Sequence, residues 1–145
     1  MPTRKSSARW EGGLQGGKGT FKGESGGIGG QYNFSSRFEE GVGSNPEELL
    51  AAAEAACFSM ALSGDLEKNG TPPTSVETEA SCTVERVEGA FKITKMHLVV
   101  SAAVPGIDDA KFQEIAKGTL TGCPVSKAFH GNMEITLQAS LKSGG

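Results

Sequence analysis

Three cysteines hold most of the chemistry this chain could do: Cys57, Cys82 and Cys123. Cys57 lies in "AAEAACFSMAL" (52–62), a strongly apolar run. A thiol reacts as its thiolate, and a free thiol with a pKa of ~8.5 is only a few per cent ionised at neutral pH. Burial depresses that fraction further, so a cysteine in such a run packs as a small hydrophobe unless a cation reaches it. One cation at about 4 Å contributes on the order of 4 kcal/mol at an effective dielectric of ~20, close to three powers of ten in ionisation. No basic residue flanks Cys57. Arg37 in "SSRFEE", between Phe34 and Phe38, is the best candidate, and an arginine on a half-buried segment needs an acid partner. Cys123 stands before Pro124, at a predicted helix start. There it is either a thiol made more acidic by the helix end or a cap that tolerates cysteine. Cys82 alternates with apolar residues of a strand and is expected to be inert packing.

Other chemistries are less well supported. "GGLQGGKGT" has half of a phosphate loop, but Gly19 stands where a magnesium-binding hydroxyl belongs, and the segment joins two predicted strands. A hairpin turn is the expectation. There is no Cys-x-x-Cys or His-Glu-x-x-His, and His97 and His130 are far apart, so no metal and no bound cofactor are expected.

These residues need elements to position them. "SARWEGG", "KGTFKGES" and "YNFSSRFEE" read as strands, with "GGIGGQ" as a flexible link before the third. Asn45, Pro46 and Glu48 mark the start of a long helix that Asn69-Gly70 ends. It is apolar nearly all round, which predicts burial. Alternation from Val76 to Val84 and along "FKITKMHLVVSAAV" predicts a hairpin turning near Glu88-Gly89, with a bulge around Thr94-Lys95. Asp108 or Asp109 caps a second helix through Leu120, "GCPVSKAF" makes a short helical turn, and "MEITLQASL" is the last strand. The order implies an α+β fold, a long buried helix packed on antiparallel sheets.

The 145 residues suit a single domain, 1–145. With 21 glycines and few aromatics, the chain leaves room for a partner to complete its core. Its net charge of −3 is spread without basic runs, so neither nucleic acid nor a membrane surface is an expected partner. No stretch reads as the ~20 apolar residues of a membrane span. The basic start leads into no apolar leader segment. An odd, widely spaced set of cysteines is no secreted disulfide framework and points to the cytoplasm.

With "RWEGG", "FSSRFEE", "NPEELLAAAEAACFSMAL", "VPGIDD" and "GCPVS", the chain resembles the OsmC/Ohr family of thiol peroxidases over nearly its whole length, and the OsmC branch more closely. The resemblance implies an interleaved homodimer with two sites at its interface. It implies that Cys57 attacks an organic hydroperoxide, in preference to hydrogen peroxide, and that Cys123 resolves the product as a disulfide. It assigns Arg37 and Glu47 to the site, and a dithiol, such as a lipoylated protein, as electron donor. Glu47 and Cys57 are ten residues apart, about 15 Å in one straight helix. Either Arg37 spans that gap or Glu47 serves the partner subunit, and the second is favoured because it also explains the dimer. Glu54, three residues before Cys57, would oppose the thiolate and is expected to turn away. The rival expectations are a stress protein that holds an apolar ligand without chemistry and a thiol redox sensor.

Overall fold

The glycine-rich start of the chain folds as a sheet because glycine stands where neighbouring aromatics need the room. In the computed structural model, which describes residues 1–142, strands β1 (Ser6–Glu11), β2 (Lys18–Gly23) and β3 (Gly29–Tyr32) form an antiparallel sheet in that order. Its register sets Trp10, Gly19 and Tyr32 side by side. The two rings close over the glycine with centroids 5.3 Å apart. A Cβ on Gly19 would lie 2.6 Å from Tyr32 and 2.7 Å from Trp10. The half phosphate loop is thus a β1–β2 hairpin connection, and Gly19 is a packed strand residue.

The third strand differs from expectation. It occupies the supposed link, and the segment after it is a short helix, α1 (Phe34–Phe38). Asn33 caps it: its side chain accepts from Ser36 N while its own N–H donates to the Ser36 hydroxyl. That reciprocal cap fixes a turn that the alternation of the segment does not reveal.

Helix α2 (Pro46–Lys68) begins where predicted, with Glu48 N–H donating to Asn45 Oδ1 at 2.8 Å. Gly70, at φ +83°, ends it in the left-handed conformation that glycine allows. The chain divides into two compact units, Met1–Leu49 and Leu50–Gly145, and α2 starts in the first. In the second, its buried residues are Glu54, Phe58, Leu62 and Leu66, one stripe at a spacing of four. Expected to be buried all round, the helix is buried beyond Leu49 along that stripe alone. Ala52, Ala53, Ala56 and Met60 are exposed, Met60 at 80%. By length and composition α2 also reaches what a bilayer crossing requires, contrary to the sequence reading. Its stripe nevertheless lies in the protein core with Met96, Leu98, Val100, Phe112 and Ala116.

Strands β4 (Ser75–Val87) and β5 (Ala90–Ala103) form the predicted hairpin, turning at Glu88-Gly89 with both residues at positive φ. The bulge falls at Thr94, where the register shifts. Helix α3 (Asp109–Gly122) is capped by Asp108, and α4 (Pro124–Phe129) follows directly. Strand β6 (Glu134–Leu141) then pairs with β5 in parallel, so this sheet is mixed rather than antiparallel. A parallel return needs a long crossover, and α3 with α4 supplies it. The α+β class holds.

Replacing Gly19 by valine should lower the unfolding free energy by about 1–3 kcal/mol, because neither ring can give way cheaply. Urea denaturation would read it. Gly13→Ala, with nothing within 4 Å of its Cβ position, should stay within about 0.5 kcal/mol of wild type.

Candidate active site

The predicted site residues assemble as two pairs, one in each unit. In the first unit, α1 carries Arg37 in its last turn and α2 carries Glu47 in its first. The link between the two helices is pinned by Ser36, whose hydroxyl donates to Ser44 O at 2.8 Å, and by Asn45 Nδ2, which donates to Ser36 O at 3.0 Å. Arg37 Nη2 therefore meets Glu47 Oε1 at 2.8 Å, while Nε donates to Oε1 at 3.1 Å and Oε2 at 3.3 Å. Glu47 is 5% exposed, and the Arg37 side chain keeps 35% of its surface. The guanidinium also lies 5.0 Å from the centre of the Phe38 ring. A buried carboxylate thus holds a charge-assisted fork whose cationic face stays accessible. Arg37 and the wall formed by Trp10, Leu14, Tyr32, Phe34 and Phe38 border a cavity of about 260 Å³.

In the second unit, Cys57 on α2 meets Cys123 at the junction of α3 and α4. Cys123 is at once the C-cap of α3, donating its N–H to Thr119 O, and the N-cap of α4, accepting from Lys127 N. The Thr119 hydroxyl, donating to Asp65 Oδ2 at 2.7 Å, ties α3 to α2. The Cys123 thiol consequently lies 2.8 Å from the Cys57 sulfur, and both cysteines are free. A disulfide has an S–S length of about 2.05 Å, so a small side-chain movement would close one.

Glu54 does not turn away. It is fully buried, one turn of α2 before Cys57, and its Oε1 accepts from the Ser126 hydroxyl at 2.6 Å and from the Cys123 thiol at 3.8 Å. Burial raises the Cys57 thiol pKa above its ordinary value, and the hydrogen bond that Cys57 shares with the Cys123 sulfur, which holds the Cys57 proton in place, adds to this. The charges of Cys123 and Glu54 push the same way, while the Val125 N–H lowers it. The amide at the start of α4 therefore serves Cys57, and the Cys123 side chain makes no capping hydrogen bond. Ser126 and the Val125 amide are the participants the sequence reading missed. The fourfold spacing of Glu54, Phe58, Leu62 and Leu66 is the signal that would have turned Glu54 inward. Cys82 packs against the edge of the core.

A family model described as OsmC-like protein matches residues 39–138. Peroxiredoxin OsmC of Escherichia coli (strain K12) is 48% identical over 141 residues, 97% of each chain. The organic hydroperoxide resistance protein of Xanthomonas axonopodis pv. citri is 35% identical over 98 residues, 67% of each chain. The crystal structure of the organic hydroperoxide resistance protein OhrB of Bacillus subtilis superposes with a TM-score of 0.76 at 30% identity, covering 95% of this chain and 98% of that one.

Removing the Cys123 thiol removes both the hydrogen bond that holds the Cys57 proton and the electrostatic opposition of a second sulfur beside Cys57. Cys123→Ala should therefore lower the Cys57 pKa and shift the midpoint of Cys57 alkylation against pH downward, as followed by peptide mass. An unmoved midpoint would contradict the assigned causes.

Proposed function

The chain belongs to the OsmC-like family, and we propose that it is a peroxidase of stress defence that reduces organic hydroperoxides through Cys57. The observation that carries this reading is the pair of free thiols 2.8 Å apart, joining α2 to the α3–α4 junction. The Cys57 thiolate attacks one peroxide oxygen. The O–O bond breaks, the alkoxide leaves as an alcohol after taking a proton, and Cys57 becomes a sulfenic acid. Cys123 then displaces water from it, forming the Cys57–Cys123 disulfide. An external dithiol, a lipoylated protein among the candidates, reduces it by exchange, so no bound cofactor is needed. An alkyl substituent suits the apolar surroundings of Cys57 better than hydrogen peroxide does. A reducing cytoplasm would keep the resting thiols reduced.

Burial, Cys123 and Glu54 all oppose the thiolate, so the mechanism calls for a cation. Arg37, held by Glu47, is that cation in this reading. Glu47 and Cys57 lie on one unbroken helix, ten residues and about 15 Å of rise apart. The Arg37–Glu47 pair is accordingly assigned to Cys57 of a second copy in a homodimer. The exposed apolar face of α2, with Ala52, Ala53, Ala56 and Met60, is consistent with that arrangement.

Steady-state turnover with an alkyl hydroperoxide and a dithiol tests the reading. Turnover should exceed that with hydrogen peroxide and vanish in Cys57→Ser. A folded protein that shows no turnover would instead be a binder or a sensor. Cys123→Ser should still consume about one equivalent of peroxide and leave oxygen on Cys57, since sulfenic acid forms without a resolving thiol.

The dimer assignment has its own test. Heterodimers of Glu47→Ala and Cys57→Ser chains should recover about half the wild-type activity, because one of two sites is then intact. No recovery would place Glu47 at its own chain's site. Arg37→Lys should restore little of the activity lost in Arg37→Ala, because lysine lacks the fork that Glu47 holds.

A further inference from the structure

Glu54 is an unusual residue for its position. It occupies the stripe of α2 otherwise made of Phe58, Leu62 and Leu66, with no exposed surface. Among the described residues no cation pairs with it, and its Oε2 is buried without a hydrogen bond. Such a carboxyl group destabilises a core, and alanine or leucine would fill the position at no such penalty.

Its surroundings give it a use. Glu54 and Cys57 are three residues apart on α2, and Cys123 and Ser126 are three apart at the start of α4. The two pairs face each other: sulfur to sulfur at 2.8 Å, Cys123 thiol to Glu54 Oε1 at 3.8 Å, and Ser126 hydroxyl to the same oxygen at 2.6 Å. One carboxylate oxygen thus accepts from the thiol that must lose a proton when the disulfide closes, and the Ser126 hydroxyl holds that oxygen in place.

We infer that Glu54 is the catalytic base of disulfide closure, with Ser126 as its positioning residue. The inference rests on the roles given above to the two thiols. Glu54 takes the Cys123 proton as the Cys123 sulfur attacks the sulfur of the Cys57 sulfenic acid. The S–S bond forms with the electron pair of Cys123, and the S–O bond breaks with its pair going to hydroxide. The hydroxide takes the proton from Glu54 and leaves as water. The Cys57 sulfur is reduced, the Cys123 sulfur is oxidised, and the carboxylate is restored without any further reagent.

The geometry gives Glu54 opposite effects on the two steps. Its charge opposes the Cys57 thiolate in the first, and its oxygen accepts the proton in the second. A loosened core would slow both steps.

Single-turnover kinetics separates these outcomes. The reduced full-length protein is mixed with one equivalent of an alkyl hydroperoxide and quenched over time. Mass spectrometry then counts trapped sulfenic acid and Cys57–Cys123 disulfide. In Glu54→Gln, sulfenic acid should form at least as fast as in wild type, while closure slows by about 100-fold, the scale of a lost general base. Glu54→Asp should recover part of the closure rate. Ser126→Ala, which keeps the carboxylate, should slow closure by about tenfold without slowing the first step, and it carries the test if Glu54→Gln does not fold. Closure at the wild-type rate in Glu54→Gln, or equal slowing of both steps, overturns the inference while leaving the thiol roles standing. A wild type that consumes peroxide without joining Cys57 to Cys123 overturns the thiol roles and this inference with them.

Discussion

In the proposed mechanism, ionising a sulfur inside an apolar helix is the constraint around which this protein is arranged. Cys57 adjoins Phe58 of the buried stripe, with the Cys123 thiol 2.8 Å away and the Glu54 carboxyl group one turn earlier on the helix. Both raise its pKa, as burial does, and the backbone amide of Val125 is the opposing contact. An amide carries a partial charge, whereas three opposing influences call for a whole one. In the proposed dimer, the buried Glu47 holding a still-accessible Arg37 of the second copy answers that need in kind. The carboxylate fixes the guanidinium before any substrate arrives, so little ordering remains to be done during the reaction.

The same constraint bears on α2. A helix that in the proposed cycle must be greasy around a peroxide, and also carry a core stripe, becomes apolar on more than one face. One face is satisfied by β5 and α3 residues within the second unit. The other presents small alanines and Met60, side chains that allow close approach and adapt to a neighbour's shape. The proposed dimer makes use of both properties, since a second helix and a second arginine can come near without a bulky side chain in the way.

Much of this was legible in the sequence, and the exceptions share a cause. Asn45, Asp108, Glu88-Gly89 and the Thr94 bulge act within a few residues of themselves, so composition and phase reveal them. Helix α1 escaped because five residues hold too little periodicity, and its cap uses Ser36 where Glu or Gln is the usual partner. The parallel pairing of β6 depends on how the chain crosses over, which no pattern within "MEITLQASL" records. Cys57 and Cys123, 66 residues apart, were paired by family resemblance alone. Glu54 was misplaced because its charge outweighed its position in the reading, although its spacing from Phe58 pointed to the core.

The placement of Cys123 between two helices has a consequence for heat resistance. A bond from that junction to α2 would close a loop of 66 residues. In the chain-entropy view, a cross-link of that span removes about 4 kcal/mol of disorder from the unfolded chain. The oxidised intermediate of the proposed cycle is then the sturdier form of the protein, and the resting reduced form the more easily melted one. An enzyme met by excess peroxide would harden as it waits for its reductant, so its melting temperature in a cell extract would report how far supply of the oxidant outruns supply of electrons.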